Sequence, residues 1–94
     1  MNDKISKDMI DLLFGTIVKL QSIEDCKTLF TDLCTANEIE QMAQRIRSAE
    51  LLLEGKTYAQ VMAETEISSA TLSRVSNCIR HGTGGYKKFL KDIK

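Results

Sequence analysis

Thr57-Tyr-Ala-Gln-Val-Met-Ala-Glu-Thr-Glu-Ile-Ser-Ser-Ala-Thr-Leu-Ser-Arg-Val-Ser-Asn-Cys-Ile-Arg-His-Gly82 is the stretch that decides the fold. It opens on Thr57 with Gln60 three residues later, a capping box in which hydroxyl and amide each satisfy a backbone N–H left over at a helix start. The short helix that follows carries Val61 and Met62 and ends near Thr65. Ile67 is placed as an apolar corner plug, and Ser68 as the cap of a second helix with Leu72, Val75 and Ile79 on one face. Gly82 ends that helix. A short helix, a tight turn around an apolar residue, a polar cap and a second helix with a small polar outer face are the parts of a helix-turn-helix, here spanning roughly Tyr58 to His81. Ser69, Ala70, Ser73, Arg74 and Asn77 are left on the outer face. Short serines allow close approach to a major groove, alanine can touch a thymine methyl, asparagine can pair with adenine and arginine with guanine. Glu66 stands where a left-handed glycine is expected, at a cost of order 1 kcal/mol if that geometry holds, so the turn itself is left open. A generic helical hairpin is the competing reading of the same pattern.

Upstream, Thr35-Ala-Asn-Glu38 is another capping box, opening a helix that runs through Ile39, Met42, Ala43, Ile46 and Ala49 to Leu53, where Gly55 stops it. Ser22 with Asp25 starts the preceding helix, expected to bury Ile23, Cys26, Leu29, Phe30 and Leu33. A first helix is expected from just after Ser6, burying Met9, Ile10, Leu13, Ile17 and Leu20, with Leu12, Phe14 and Val18 widening the stripe. So broad an apolar surface suits either a buried core helix or contact with a second copy of the chain. Downstream, Thr83-Gly84-Gly85 is a flexible break, and Tyr86 to Lys94 forms a basic segment anchored by Phe89, Leu90 and Ile93. With no proline, five glycines and helical rather than alternating spacing throughout, the class is all-α, about six helices in one domain over residues 1–94. Residues 1–55 are assigned to dimerisation, 56–82 to the helix-turn-helix and 83–94 to a basic C-terminal helix. Ninety-four residues bury too little surface for a generous core, which also favours a dimer.

The net charge is zero, yet residues 1–40 hold four lysines against eight acids and residues 41–94 hold nine bases against five acids. From Ser68 onward, Arg74, Arg80, Lys87, Lys88, Lys91 and Lys94 face Asp92 alone. That basic end is where phosphate contacts belong, with Lys87 and Lys88 the leading residues. Cys26, Cys34 and Cys78 form an odd set without C-x-x-C spacing, so reduced core thiols are expected, with neither a disulfide framework nor a metal site. No apolar run approaches the ~18 residues of a membrane span and no secretory leader is visible, so a cytoplasmic protein without membrane attachment is expected. The one histidine, His81, lies at a helix end and no nucleophile has a base beside it, so an enzyme is not expected.

Gln44-Arg-Ile-Arg-Ser-Ala-Glu-Leu-Leu-Leu-Glu-Gly55, Ala70-Thr-Leu-Ser-Arg74 and Ser76-Asn77 resemble the tryptophan repressor superfamily, and the chain as a whole, with His81-Gly-Thr-Gly-Gly-Tyr86, resembles its YerC/YecD branch of Trp-repressor-like proteins. The resemblance implies an intertwined helical dimer with a recognition helix in each subunit, acting on double-stranded DNA as a transcriptional regulator, a repressor in the founding member. Ser68, Ser69, Ala70, Ser73, Arg74, Asn77, Lys87 and Lys88 are then the DNA-contacting set. It also implies a small-molecule corepressor beside the recognition helix, whose lining positions match Thr35, Arg45, Thr71 and Arg74. Val75 replaces the glycine that leaves room for an indole and Cys78 the serine that meets the ligand's amino group, so tryptophan is not the expected effector and its identity is open. Gln60 and Ala63 replace basic positions of the first helix of the motif. Arg45 is expected to pair with a surface carboxylate, and Arg74 to read DNA directly. A protein-interaction module that keeps the helices but never touches DNA is the alternative function.

Overall fold

In a computed structural model, which describes residues 2–90, the chain forms six helices: α1 (Asp3–Ile17), α2 (Ile23–Leu33), α3 (Ala36–Leu53), α4 (Tyr58–Thr65), α5 (Ser69–His81) and α6 (Gly85–Leu90). No strand occurs among the described residues. The expected anchor Ile93 and the bases Lys91 and Lys94 lie outside them. The chain divides into two compact units, residues 1–35 and 36–94.

In the first unit, α1 begins at Asp3, earlier than the expected start after Ser6, because the Asn2 side chain supplies the cap: its Oδ1 accepts from the Lys4 N–H at 2.8 Å. Helix α2 starts where Ser22 requires, with the Asp25 N–H donating to Ser22 Oγ at 3.0 Å and the Asp25 carboxylate accepting from the Gln21 N–H at 3.0 Å. Neither helix contains a buried residue. The expected burial of Met9, Ile10, Leu13, Ile23, Cys26 and Leu33 is therefore corrected: all six are exposed, while Ile17, Leu20, Leu29 and Phe30 are half-buried. Both helices are amphipathic, but two helices alone cannot surround two broad stripes.

The second unit is organised on α3. Its C-terminal half packs against α4, α5 and α6 and contributes Ala49 and Leu51 to a core completed by Val61, Ile67, Leu72, Val75 and Leu90. Leu52, Met62, Ile79 and Tyr86 pack around this cluster. Of the expected run on α3 Ala49 is buried, alongside Ser48 and Leu51, whereas Ala43, Ile46 and Leu53 are exposed and Ile39 and Met42 half-buried. Helix α3 stops as glycine at position 55 predicts. Gly55 is left-handed (φ 91°), the Lys56 N–H donates to the Leu51 carbonyl at 3.1 Å and the Gly55 N–H to the Leu52 carbonyl at 3.0 Å, a Schellman closure. Gly82 ends α5 for a different reason: a Cβ there would lie 2.5 Å from the Cys78 carbonyl oxygen. Gly84 is left-handed (φ 87°) and turns the chain into α6. Phe89, expected as an anchor of that segment, is 71% exposed, and Leu90 alone of the described anchors is buried.

Candidate nucleic-acid interface

Both caps of the motif form as the side chains dictate. The Gln60 N–H donates to Thr57 Oγ1 at 3.2 Å while the Thr57 N–H donates to Gln60 Oε1 at 2.9 Å, which fixes the start of α4. Ser68 Oγ accepts from the Thr71 N–H at 3.2 Å and donates to Thr71 Oγ1 at 2.9 Å, which fixes the start of α5. Between them Glu66 is left-handed, φ 61° and ψ 18°, so the turn keeps the helix-turn-helix geometry without its glycine. Ile67 is buried in the core as the corner plug.

Leu72 and Val75 face inward and are buried, which leaves the opposite side of α5 to solvent. Ser68, Ser69, Ala70, Ser73, Arg74 and Asn77 are all exposed there, and no side-chain bond ties up Ser69, Ser73, Arg74 or Asn77 among the described residues. Lys87 and Lys88 are exposed on α6, with the Lys88 ammonium 5.3 Å from the Phe89 ring centroid. Arg80, one of the bases of the C-terminal end, is tethered instead: its Nη1 donates to Ser76 Oγ at 2.9 Å, and Ser76 is buried.

Among the four positions matched to an effector, Arg45 on α3 and Thr71 on α5 are half-buried and Arg74 is exposed. Thr35 belongs to the first unit and immediately precedes α3. No hydrogen bond joins Arg45 to Thr71 or Arg74, and among the described residues no carboxylate pairs with Arg45, so the expected surface ion pair is absent. Arg47 makes that kind of contact instead, for a reason of register. Its Nη1 meets Glu50 Oε1 at 2.5 Å, one turn along α3, and its Nη2 meets Glu64 Oε1 at 2.9 Å across on α4. The hydrogen bonds from Glu50 and then Glu64 raise the guanidinium's pKa above its ordinary value.

Val75 is 1% exposed and packed into the core, filling the position that a glycine leaves open. Cys78 is exposed, against the expectation of a core thiol, and lines an open apolar groove of about 510 Å³ with Ile46, Gly82, Thr83, Gly85, Tyr86, Phe89 and Leu90. The sequence reading missed this groove and the Arg47 fork. The spacing of Arg47 and Glu50 was a visible signal for one half of the fork, whereas Glu64 is brought in only by the packing of α4 on α3.

The model of the Trp repressor protein family matches residues 8–94. The uncharacterized protein YerC of Bacillus subtilis is 42% identical over 92 residues, covering 98% of this chain and 88% of its own length. The crystal structure of a TrpR-like protein from Eubacterium eligens superposes with a TM-score of 0.88 at 33% identity, covering 96% of this chain and 93% of that one. A candidate Trp repressor from Staphylococcus aureus gives a TM-score of 0.87 at 36% identity, with the same coverage of 96% and 93%.

Proposed function

The chain belongs to the Trp repressor family, and from that premise we propose that it is a sequence-specific DNA-binding regulator of transcription that acts as a homodimer. The observation that carries this reading is α5 itself. It leaves a turn held in helix-turn-helix geometry and offers a free face of short polar side chains with one arginine, the chemistry that reads base edges in a major groove. In this reading Ser69, Ala70, Ser73, Arg74 and Asn77 contact bases, Ser68 sits at the helix start, and Lys87 and Lys88 neutralise phosphates. Residues 83–94 then serve as a basic segment beside the 56–82 motif. Dimerisation falls to residues 1–55, supported by two amphipathic helices with no residue buried. Such a regulator works in the cytoplasm, and no helix among the described residues is long and apolar enough to cross a membrane. Regulation by a small molecule is compatible with Arg45, which pairs with no carboxylate among the described residues, and with the half-buried Thr71, but buried Val75 occupies the room an indole would need, so tryptophan is not that effector. Repression follows if the bound dimer blocks a promoter.

Selection from random duplexes tests the proposal. A reproducible consensus with two half-sites is expected, lost when Ser73 and Arg74 are replaced together. No enrichment with a well-folded dimer would favour the protein-interaction alternative.

A further inference from the structure

We propose that Thr65 is a positioning residue for DNA reading: its hydroxyl, in place of a turn glycine, fixes the angle at which α5 leaves α4. The proposal rests on the DNA-binding reading above. Thr65 lies at the end of α4, half-buried, and is not one of the outward residues of α5. Its Oγ1 donates to the Val61 carbonyl at 2.8 Å, accepts from the Ile67 N–H at 3.3 Å and accepts from Ser48 Oγ at 3.2 Å. One hydroxyl has one donor and two acceptor sites, so all three are used. The Thr65 carbonyl in turn accepts from Gln44 Nε2 at 3.1 Å. Residue 65 is thereby fastened to α3 through both its side chain and its main chain.

The consequence falls on Glu66. A residue with a Cβ relaxes out of the left-handed region unless its surroundings hold it there. Here the Glu66 N–H donates to the Met62 carbonyl at 2.9 Å, the residue before it is pinned to α3, and the residue after it has its N–H on the Thr65 hydroxyl and its side chain in the core. Both neighbours are fixed, so the turn is set by Thr65 and the α3 face. Ser48 is fully buried and its hydroxyl is satisfied by this contact, as a buried polar group requires.

The test uses the full chain in four forms: wild type, Thr65→Ser, Thr65→Val and the double variant Ser48→Ala with Thr65→Val. Binding to the selected duplex and to a random duplex gives a discrimination ratio, and amide hydrogen exchange at Ile67 reports the turn. Thr65→Val should lose about tenfold in discrimination, the scale of one or two hydrogen bonds, with little change on random DNA, and Ile67 should exchange faster. Thr65→Ser should stay within about twofold of wild type because the hydroxyl remains. The double variant leaves no buried Ser48 hydroxyl unpaired, so its thermal midpoint should recover while its discrimination does not, which a purely structural role cannot produce. It also stands in should Thr65→Val fold poorly. Discrimination that follows stability back to wild type in the double variant, or an Ile67 exchange rate unchanged on loss of the hydroxyl, overturns the proposal. A wild-type chain with no sequence preference at all overturns the function itself, and is distinguishable because it appears before any variant is made.

Discussion

Residues 2–35 and 36–90 are built from the same local signals and differ in what those signals achieve. In both, side-chain caps set the helix starts, Asn2 and Ser22 in one, Thr57 and Ser68 in the other. Both contain helices with a clear apolar stripe. In the second unit four helices meet and close over Ala49, Leu51, Val61, Ile67, Leu72, Val75 and Leu90, whereas α1 and α2 bury nothing. Capping and periodicity are properties of a segment; burial is a property of how many segments are available to meet. A single chain supplies enough for one core, and the remaining apolar surface is the strongest physical reason to look for a second copy.

The sharpest way to break this contrast is to cut the same side chain in both units. Leu72 is fully buried, so Leu72→Ala should cost about 2 to 5 kcal/mol in a denaturant melt. That is a large share of the ~5–15 kcal/mol that a native domain holds. Leu12 is 70% exposed within the chain. If α1 is covered by a partner, Leu12→Ala should cost about 2 kcal/mol, and its melting point should rise with protein concentration. If it is not, the change should stay below about 0.5 kcal/mol. Light scattering gives the parallel reading, twice the 10.6 kDa of one chain being the expected mass. A loss below 0.5 kcal/mol together with a monomer would leave the apolar stripe of α1 unexplained.

Much of the second unit was legible in its sequence. The capping box at Thr57, the cap at Ser68, the corner plug at Ile67, the inward Leu72 and Val75 and the stop at Gly55 each follow from a side chain acting on its own backbone within a few residues. The outward set of α5 was legible for the same reason, since fixing two inward positions fixes the rest by rotation. What was not legible depends on distant partners. The start of α1 is the one local exception, since Asn2 is as good a cap as any serine. The buried face of α3 and the exposure of Phe89 follow from which helices pack where. Glu66 is the instructive case: its local preference argued for a changed turn, and contacts from α3 overrode it.

Function sharpens the contrast further, since base readout is assigned to one unit only. Arg74→Ala should weaken binding to the selected duplex by about 1 to 3 kcal/mol and relax preference at one base position, with unchanged light scattering. Identical base preference in wild type and variant would remove Arg74 from the readout set and return it to an effector role.

A smaller effect is expected from Glu66→Gly. Its side chain makes no hydrogen bond or ion pair among the described residues, and its backbone is left-handed. Glycine relieves the Cβ strain but adds freedom to the unfolded chain, so the net gain should be about 0.5 kcal/mol in a denaturant melt. A loss of stability would mean that the carboxylate does something in the turn that its geometry does not reveal.

The effect most dependent on conditions concerns Lys87 and Lys88. Both are exposed on α6, and neither joins an ion pair among the described residues. If they lie along a phosphate backbone, each neutralised phosphate releases condensed counterions, and binding weakens linearly in the logarithm of salt. Replacing both with alanine should then reduce the log–log slope by about one to two for each subunit that engages DNA, nearly equally on selected and random duplexes. Base contacts made by α5 would be untouched, so the ratio between the two duplexes should hold while both affinities fall. The measurement therefore separates the two faces within one unit: Arg74→Ala should move the ratio and Lys87→Ala with Lys88→Ala the slope. A slope that does not move would put the phosphate contacts elsewhere, on Lys56 before α4 or on the bases beyond α6, and would leave the exposed Phe89 beside Lys88 as part of a protein-facing surface instead.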